Sequence, residues 1–433
     1  LLLSIHKLLK NKLIQNIMIV SGGTAGAQIL SLLASPIITR LYTPEAIGIL
    51  GSFLAILAIL LPLASLSFPI AIVLPKKNSN AIKVANNSLR IALIFALIVF
   101  VIILLFQENV TGLLGLDDIG TGFIALALPL AVLASTLLAI CTQWVIRHKL
   151  FKINAKAIVA QSLLLNLTKI AVGMFAPFGK SLIILTIFAT LFQGLFLLLS
   201  VNLKKVKNHF LPLNASFDMQ QVRRHKEFPL FRSPQGLLVN LNQNIPVLLL
   251  ASLFGATSVG FYALCRTVLQ LPVTLIAKSV NDVIYPQVNQ AFNNRRPISP
   301  LIVKGTMWLA LIGVIPLLIF ILFGPELFTL VFGDGWRLAG ALSQWLSVWF
   351  YFNFINRPCV AAIPVLRLER FLLLNSLLNF VLSSLGFYIG YSLFSDDVYA
   401  VAIYSLFGII PQLIIISFVI YSAKQHDRQL VDN

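Results

Sequence analysis

The chain has 433 residues, 58% of them hydrophobic and only 11% charged, with a net charge of +18. A soluble protein of this length carries about 25% charged residues. A globular cytosolic enzyme is therefore excluded, the composition is that of a polytopic membrane protein, and the basic excess has to be explained in that setting.

In chain order, stretches near the ~20 residues needed to cross a bilayer are predicted at 13–39, 46–73, 89–106, 121–146, 157–177 and 181–203, then at 233–254, 258–285, 304–324, 338–362, 371–393 and 398–422. Of the 32 Lys and Arg residues, 25 fall in alternate connections that begin with the N-terminus. Only Arg40, Lys180 and Arg337 fall in the others, which instead hold acids such as Glu45, Glu108, Asp117, Asp334 and Asp396. By the positive-inside rule this distribution predicts twelve spans with both termini in the cytoplasm. Orientation thus accounts for nearly all the basic charge, and no nucleic-acid partner is implied. Lys7, Lys10 and Lys12 lead straight into a full-length span, so nothing at the N-terminus reads as a cleavable signal.

The longest polar stretch, 204–232, is read as a cytoplasmic linker with a short helix starting at Ser216 or Asp218. It separates an N-terminal six-helix bundle, 1–203, from a C-terminal one, 233–433. The halves echo one another. Leu41-Tyr-Thr-Pro-Glu-Ala-Ile-Gly48 parallels Leu253-Phe-Gly-Ala-Thr-Ser-Val-Gly260 at an offset of 212, and Pro36, Pro62 and Pro75 pair with Pro246, Pro272 and Pro286. The two segments emerge on the same side of the membrane, which implies a parallel repeat about an axis along the membrane normal, as in many secondary transporters. Prolines inside matching spans bend both helices.

Catalytic and metal chemistry find no foothold. His6, His148, His209, His225 and His426 are scattered through connections without metal-ligand spacing, and Cys141, Cys265 and Cys359 lie in apolar segments. There is no phosphate-binding glycine loop and no outer connection long enough for a catalytic domain. No cofactor is expected.

The informative residues are the charges inside the spans. Lys169, Arg266, Lys278 and Arg357 are basic, and Asp282, near a span end, is the one acid close to them. A cation at the bilayer centre costs roughly 2.5–3.5 kcal/mol on insertion scales, so it marks a polar cavity or path. Lys169 is about 18 Å from the start of its span and Arg266 about 12 Å from the outer end of its own, so neither reaches an interface easily. Lys278 and Arg357 lie nearer the cytoplasm and can snorkel, and Lys278 can pair with Asp282 four residues on. Arg40 is an interface residue or a cavity-mouth residue. Asn240, Asn242, Gln243 and Asn244 precede Pro246 in the seventh span. They either bond to neighbouring helices or form a polar cavity wall suited to a hydroxyl-rich ligand. The first six spans contain no Asp or Glu. Cations with amides fit a diphosphate attached to sugars, since Arg and Lys pair with phosphate and amides with hydroxyls.

Several segments resemble the polysaccharide-exporter flippases called Wzx. They are Pro36-Ile-Ile-Thr-Arg-Leu-Tyr-Thr-Pro-Glu-Ala-Ile-Gly48, Ala71-Ile-Val-Leu-Pro-Lys76, Phe228-Pro-Leu-Phe, Asn244-Ile-Pro-Val through Gly255, Val259-Gly-Phe-Tyr-Ala, Leu271-Pro and Val331-Phe-Gly-Asp-Gly-Trp-Arg-Leu-Ala-Gly340. The resemblance covers essentially the whole chain. It implies an all-α fold of two six-helix bundles around a central cavity, as in the wider flippase and multidrug-exporter superfamily. The activity it implies is movement of undecaprenyl-pyrophosphate-linked oligosaccharide repeat units between leaflets of a bacterial cytoplasmic membrane, alongside polysaccharide polymerase machinery. A cationic cavity is carried over as a property, chiefly to Lys169 and Arg266, and then to Arg357, Lys278 and Arg40. Coupling to a proton or sodium gradient is left open, because no coupling carboxylate stands in spans one to six. A cation-coupled multidrug exporter of the same fold is the alternative, and the acid-free first half argues against it. A membrane polymerase or ligase of sugar repeats lacks the outer loop it needs.

Overall fold

The computed structural model describes residues 12–106, 120–202 and 217–432; for residues 12–20, 201–202, 275, 277–279, 281–282 and 431–432 it describes the backbone alone. His6, Lys7, Lys10, Glu108, Asp117, residue 203 and the first part of the linker, 204–216, with His209, lie outside the described residues. Every regular element described is helical. The order is α1 (Lys12–Leu41), α2 (Pro44–Ala64), a short α3 (Phe68–Ala71), α4 (Asn78–Leu105), α5 (Thr121–Arg147), α6 (Phe151–Gly173) and α7 (Gly179–Asn202). After the linker come α8 (Met219–Arg224), one π-helical turn (Phe228–Arg232), α9 (Ser233–Phe254), α10 (Ala256–Asn293), α11 (Ser299–Phe332), α12 (Arg337–Ile355), α13 (Arg357–Leu366), α14 (Glu369–Phe394) and α15 (Asp397–Asp432). Among the described residues, nine helices are long and apolar enough to cross a membrane. The protein is a multi-pass membrane protein.

Local chemistry sets several of the ends. Thr43 caps α2 by accepting from Ala46 N, with Pro44 in the first turn where its missing N–H costs nothing. The expected short helix forms as α8, with Asp218 as its N-cap accepting from Gln221 N at 3.1 Å. Gly255 and Gly333 follow α9 and α11 with φ of +83° and +104°, conformations that suit glycine.

Several helices outrun their expected spans, as α4 does by starting at Asn78 and α15 by ending at Asp432, and three expected spans are interrupted. The predicted span 46–73 is two pieces, because α2 ends at Ala64 and Leu66 and Ser67 take left-handed φ values of 49° and 57° before α3. The predicted span 338–362 divides at Asn356 into α12 and α13, since Pro358 cannot supply the N–H that would continue the ladder. The predicted span 304–324 continues as α11 to Phe332, with a non-helical Phe323 (φ −126°, ψ 16°) two residues before Pro325. Hydropathy is blind to all three, because a broken helix and an intact one can be equally apolar.

The chain forms two compact units, Leu1–Gly260 and Phe261–Asn433. In the first, α2, α5 and α7 enclose a core that includes Phe53, Leu57, Ile124, Leu128, Val132 and Leu182. Here α1 packs along α6, and α9 packs along α2. In the second unit α11 pairs with α12 and α14 with α15, and Ile302, Cys359, Ile363 and Val419 lie in a buried cluster. Exposed faces are apolar: Trp308, Leu311, Ile315 and Leu322 of α11 all stand outside the core, as expected of helices surrounded by lipid.

Candidate functional site

In the first unit a polar seam joins α1 to α6. Ser162 Oγ donates to Ala27 O at 2.9 Å, and Asn166 Nδ2 donates to Ser31 Oγ at 3.0 Å and to Ser162 O at 2.8 Å. Farther along, Tyr42 OH donates to Lys169 O at 3.0 Å. The seam therefore fixes α6 at the Lys169 carbonyl and in the turn before it, and the Lys169 side chain is half-buried. Among the described residues Lys169 makes no ion pair. The helix ends at Gly173, so Lys169 lies four residues, or about 6 Å, from its C-terminal end rather than near the centre of the expected span 157–177. Arg40 is exposed in the last turn of α1, where a cation also complements the helix dipole.

In the second unit Arg266 of α10 is half-buried. It lies near Tyr262 and Tyr404, two buried tyrosines. Arg357 begins α13 and donates from Nη2 to Asn353 Oδ1, while its Nε is buried without a partner. Next to it in sequence, Asn356 Nδ2 donates to Gln412 Oε1, and Asn375 Nδ2 donates to Pro411 O at 3.2 Å. These polar groups sit among α12–α15. Tyr262, Tyr404, Asn375 and Gln412 were not singled out by sequence, because uncharged residues one at a time in an apolar span give no signal. Lys278 is in α10, but its side chain and that of Asp282 lie outside the described residues, so their expected pairing is not described.

The amide run divides. Asn240 Nδ2 is engaged with Ala58 O of α2 at 2.6 Å, which is the helix-bonding alternative for this residue. Asn244 Nδ2 turns back to Asn240 O at 2.9 Å. Asn242 and Gln243 also have partners, and Gln243 is exposed. Among the described residues no group of three His, Cys, Asp or Glu side chains could hold a metal ion. The three cysteines are free and buried. The polar groups that remain are cations, amides and hydroxyls.

A family model described as polysaccharide biosynthesis protein matches residues 37–340. Among curated protein sequences, none matches the chain. Solved structures share the fold at low identity. The lipid II flippase MurJ in an inward closed conformation aligns with TM-score 0.72 and 13% identity, covering 96% of this chain and 91% of that one. A multidrug resistance transporter of the MATE family, inward-facing and belonging to the MOP superfamily, aligns with TM-score 0.69 and 14% identity over 94% and 96%. A MOP superfamily transporter from Pyrococcus furiosus, described as having a binding pocket of reverse polarity, aligns with TM-score 0.60 and 14% identity over 98% of both chains. The architecture is thus the MOP fold, which serves transport rather than catalysis in these neighbours. With its family model spanning most of the sequence, the chain belongs to the polysaccharide biosynthesis protein family.

Proposed function

We propose that the protein is a flippase. It carries undecaprenyl-pyrophosphate-linked oligosaccharide repeat units from the cytoplasmic to the outer leaflet of the bacterial cytoplasmic membrane, supplying O-antigen, capsule or exopolysaccharide. The observation that carries this reading is Lys169, a half-buried cation held by its helix seam with no ion pair among the described residues, in a chain of the polysaccharide biosynthesis family. Transport proceeds by alternating access across twelve spans, with both termini cytoplasmic.

The physical logic follows from the charges. A diphosphate cannot enter hydrocarbon unless its charge is met, and an ammonium or guanidinium meets it at low dielectric with an energy far above its value in water. In the first unit Lys169 supplies that charge, with Arg40 at the end of α1; in the second Arg266 and Arg357 supply it, with Lys278 on the same helix as Arg266. Asn242, Gln243 and Asn244 offer hydrogen bonds to sugar hydroxyls, while the prenyl chain stays in lipid. The machinery that polymerises the repeat units takes the product, and a proton or sodium gradient drives the cycle.

Deletion followed by lipid analysis tests the reading. Lipid-linked oligosaccharide accumulates on the cytoplasmic face if it is right. Normal polymer output from the deletion strain counts against it, and raised resistance to cationic dyes on expression points to a drug exporter instead.

A further inference from the structure

Pro62, in the last turns of α2, has no N–H, so the carbonyl of Ala58 four residues earlier loses its intrahelical donor. Asn240 of α9 supplies one, with Nδ2 at 2.6 Å from Ala58 O. One turn before Asn240 stands Gly236, where an added Cβ would lie 3.2 Å from Pro62 Cβ and 3.3 Å from its Cγ. Ser233, fully buried, donates Oγ to Pro62 O at 2.7 Å and so takes up a carbonyl that the helix end leaves open. One face of α9 is thus shaped to the proline.

The same arrangement occurs independently in the second unit. Pro325 of α11 frees Ile321 O, and Gln344 of α12 donates Nε2 to that oxygen at 2.7 Å. One turn before Gln344 stands Gly340, where an added Cβ would overlap Pro325 Cα. Gly236-Leu-Leu-Val-Asn240 and Gly340-Ala-Leu-Ser-Gln344 therefore share one spacing. On an antiparallel neighbour that spacing sets the glycine against the proline and the amide one turn away, level with the freed carbonyl. Each pair also adjoins backbone that leaves the helix: Leu66 and Ser67 have φ of 49° and 57° after Pro62, and Phe323 has φ −126° before Pro325. Left-handed residues with side chains are strained and persist only where their surroundings hold them; here Ala64 and Phe68 on either side are 0% and 1% exposed.

We propose that Gly-x-x-x-Asn/Gln is a clasp for proline bends in this protein. Asn240 and Gln344 are positioning residues: Asn240 holds the end of α2 around Pro62 and so controls the hinge at Leu66–Ser67, and Gln344 holds α11 at its kink beside Pro325. An amide–carbonyl bond between membrane helices shifts an equilibrium by about three- to tenfold, small enough to break and re-form in each cycle. The clasp depends on helix packing alone, so it holds whichever cargo is moved.

Two double-substitution cycles on the full-length protein in lipid nanodiscs test it, read by thermal unfolding. Asn240→Leu lowers the melting temperature when Pro62 is present. With Pro62→Ala the residue donates its own N–H to Ala58 O, and the same substitution costs less than about half as much. Gln344→Leu behaves in the same way with Pro325→Ala. Equal losses with and without the proline overturn the proposal for that site. Where a proline variant does not fold, spin labels at Ile70 and Val239 decide the α2 case with Asn240→Leu alone. A second distance population supports the clasp, and a single unchanged distance overturns it.

Discussion

Gly48 of α2 and Gly260 of α10 meet backbone to backbone. A Cβ added at Gly48 would overlap Ala256 O and come 2.8 Å from Gly260 N; one added at Gly260 would overlap Pro44 O and come 3.1 Å from Gly48 N. The offset of 212 that relates the two halves in sequence maps Pro44 to Ala256 and Gly48 to Gly260. The contact is therefore reciprocal, each glycine meeting the backbone that its counterpart's helix start supplies. Only glycine allows the approach.

Gly48→Ala and Gly260→Ala are expected to destabilise by about 1–3 kcal/mol each, the usual cost of overpacking, and valine at either position by more. Gly26→Ala is the control, because a Cβ there meets nothing within 4 Å. Thermal unfolding in detergent checks the set. Equal melting temperatures for all three alanine variants would contradict the packing.

Lys169→Ala is expected to reduce export of polysaccharide about tenfold or more, since one charge-assisted contact to a phosphate contributes on the order of 1.5–3 kcal/mol. Lys169→Arg keeps the charge and restores part of the activity. Surface polysaccharide from a complemented deletion strain reads the outcome, and wild-type levels from the alanine variant would remove Lys169 from the site.

Asn166→Leu cuts the α1–α6 seam by removing the donor to Ser31 Oγ and Ser162 O. Its expected cost is ~1 kcal/mol, in the range of interhelical hydrogen bonds in membranes, together with weaker export, because α6 carries Lys169. Thr267→Ala serves as the control. Its side chain is exposed and bonds within its own helix to Ala263 O, so the melting temperature of that variant should match the parent.

Asp218 anchors the described end of the linker. Its carboxylate pairs with Lys83 Nζ at 2.9 Å, and its backbone exchanges two hydrogen bonds with the Asn87 amide, at 2.9 and 3.1 Å. The hydrogen bond from Lys83, followed by that from Gln221 N, holds the Asp218 carboxyl below the usual carboxylate range. A depressed folded value means the stabilisation is present above the unfolded value of about 3.9 and is lost as pH falls through the folded value. The side chain of Lys83 is 47% exposed, so the effect stays below about 1 kcal/mol. Limited proteolysis between 217 and 232 should be unchanged from pH 8 to 5 and rise below pH 4, with Lys83→Gln moving the onset upward.

The span at 233–254 was legible to the residue, because Ser233 follows a polar stretch and Gly255 ends the apolar run. The breaks at Leu66–Ser67 and Asn356 were not, since they depend on backbone geometry that hydropathy does not record. Asn240 shows the same limit at the site. Its oddity in an apolar helix was plain, but its partner lies 182 residues away in sequence, so only the packing decides between its two alternatives. Gly48 and Gly260 were paired by the internal echo, although nothing in the echo placed them in contact. Lys169 stood out because charge in hydrocarbon is costly, and Asn166 reads as a candidate for the polar wall, but its bond to Ser31 was hidden because the partner lies 135 residues away in sequence.

The most direct measurement is leaflet transfer in proteoliposomes that contain the purified protein and fluorescent undecaprenyl-pyrophosphate oligosaccharide. Transfer by the native protein is expected well above that in empty liposomes, with a loss of about tenfold or more for Lys169→Ala. Transfer no faster than in empty liposomes, or equal transfer by the two proteins, would contradict a flippase built around this cation.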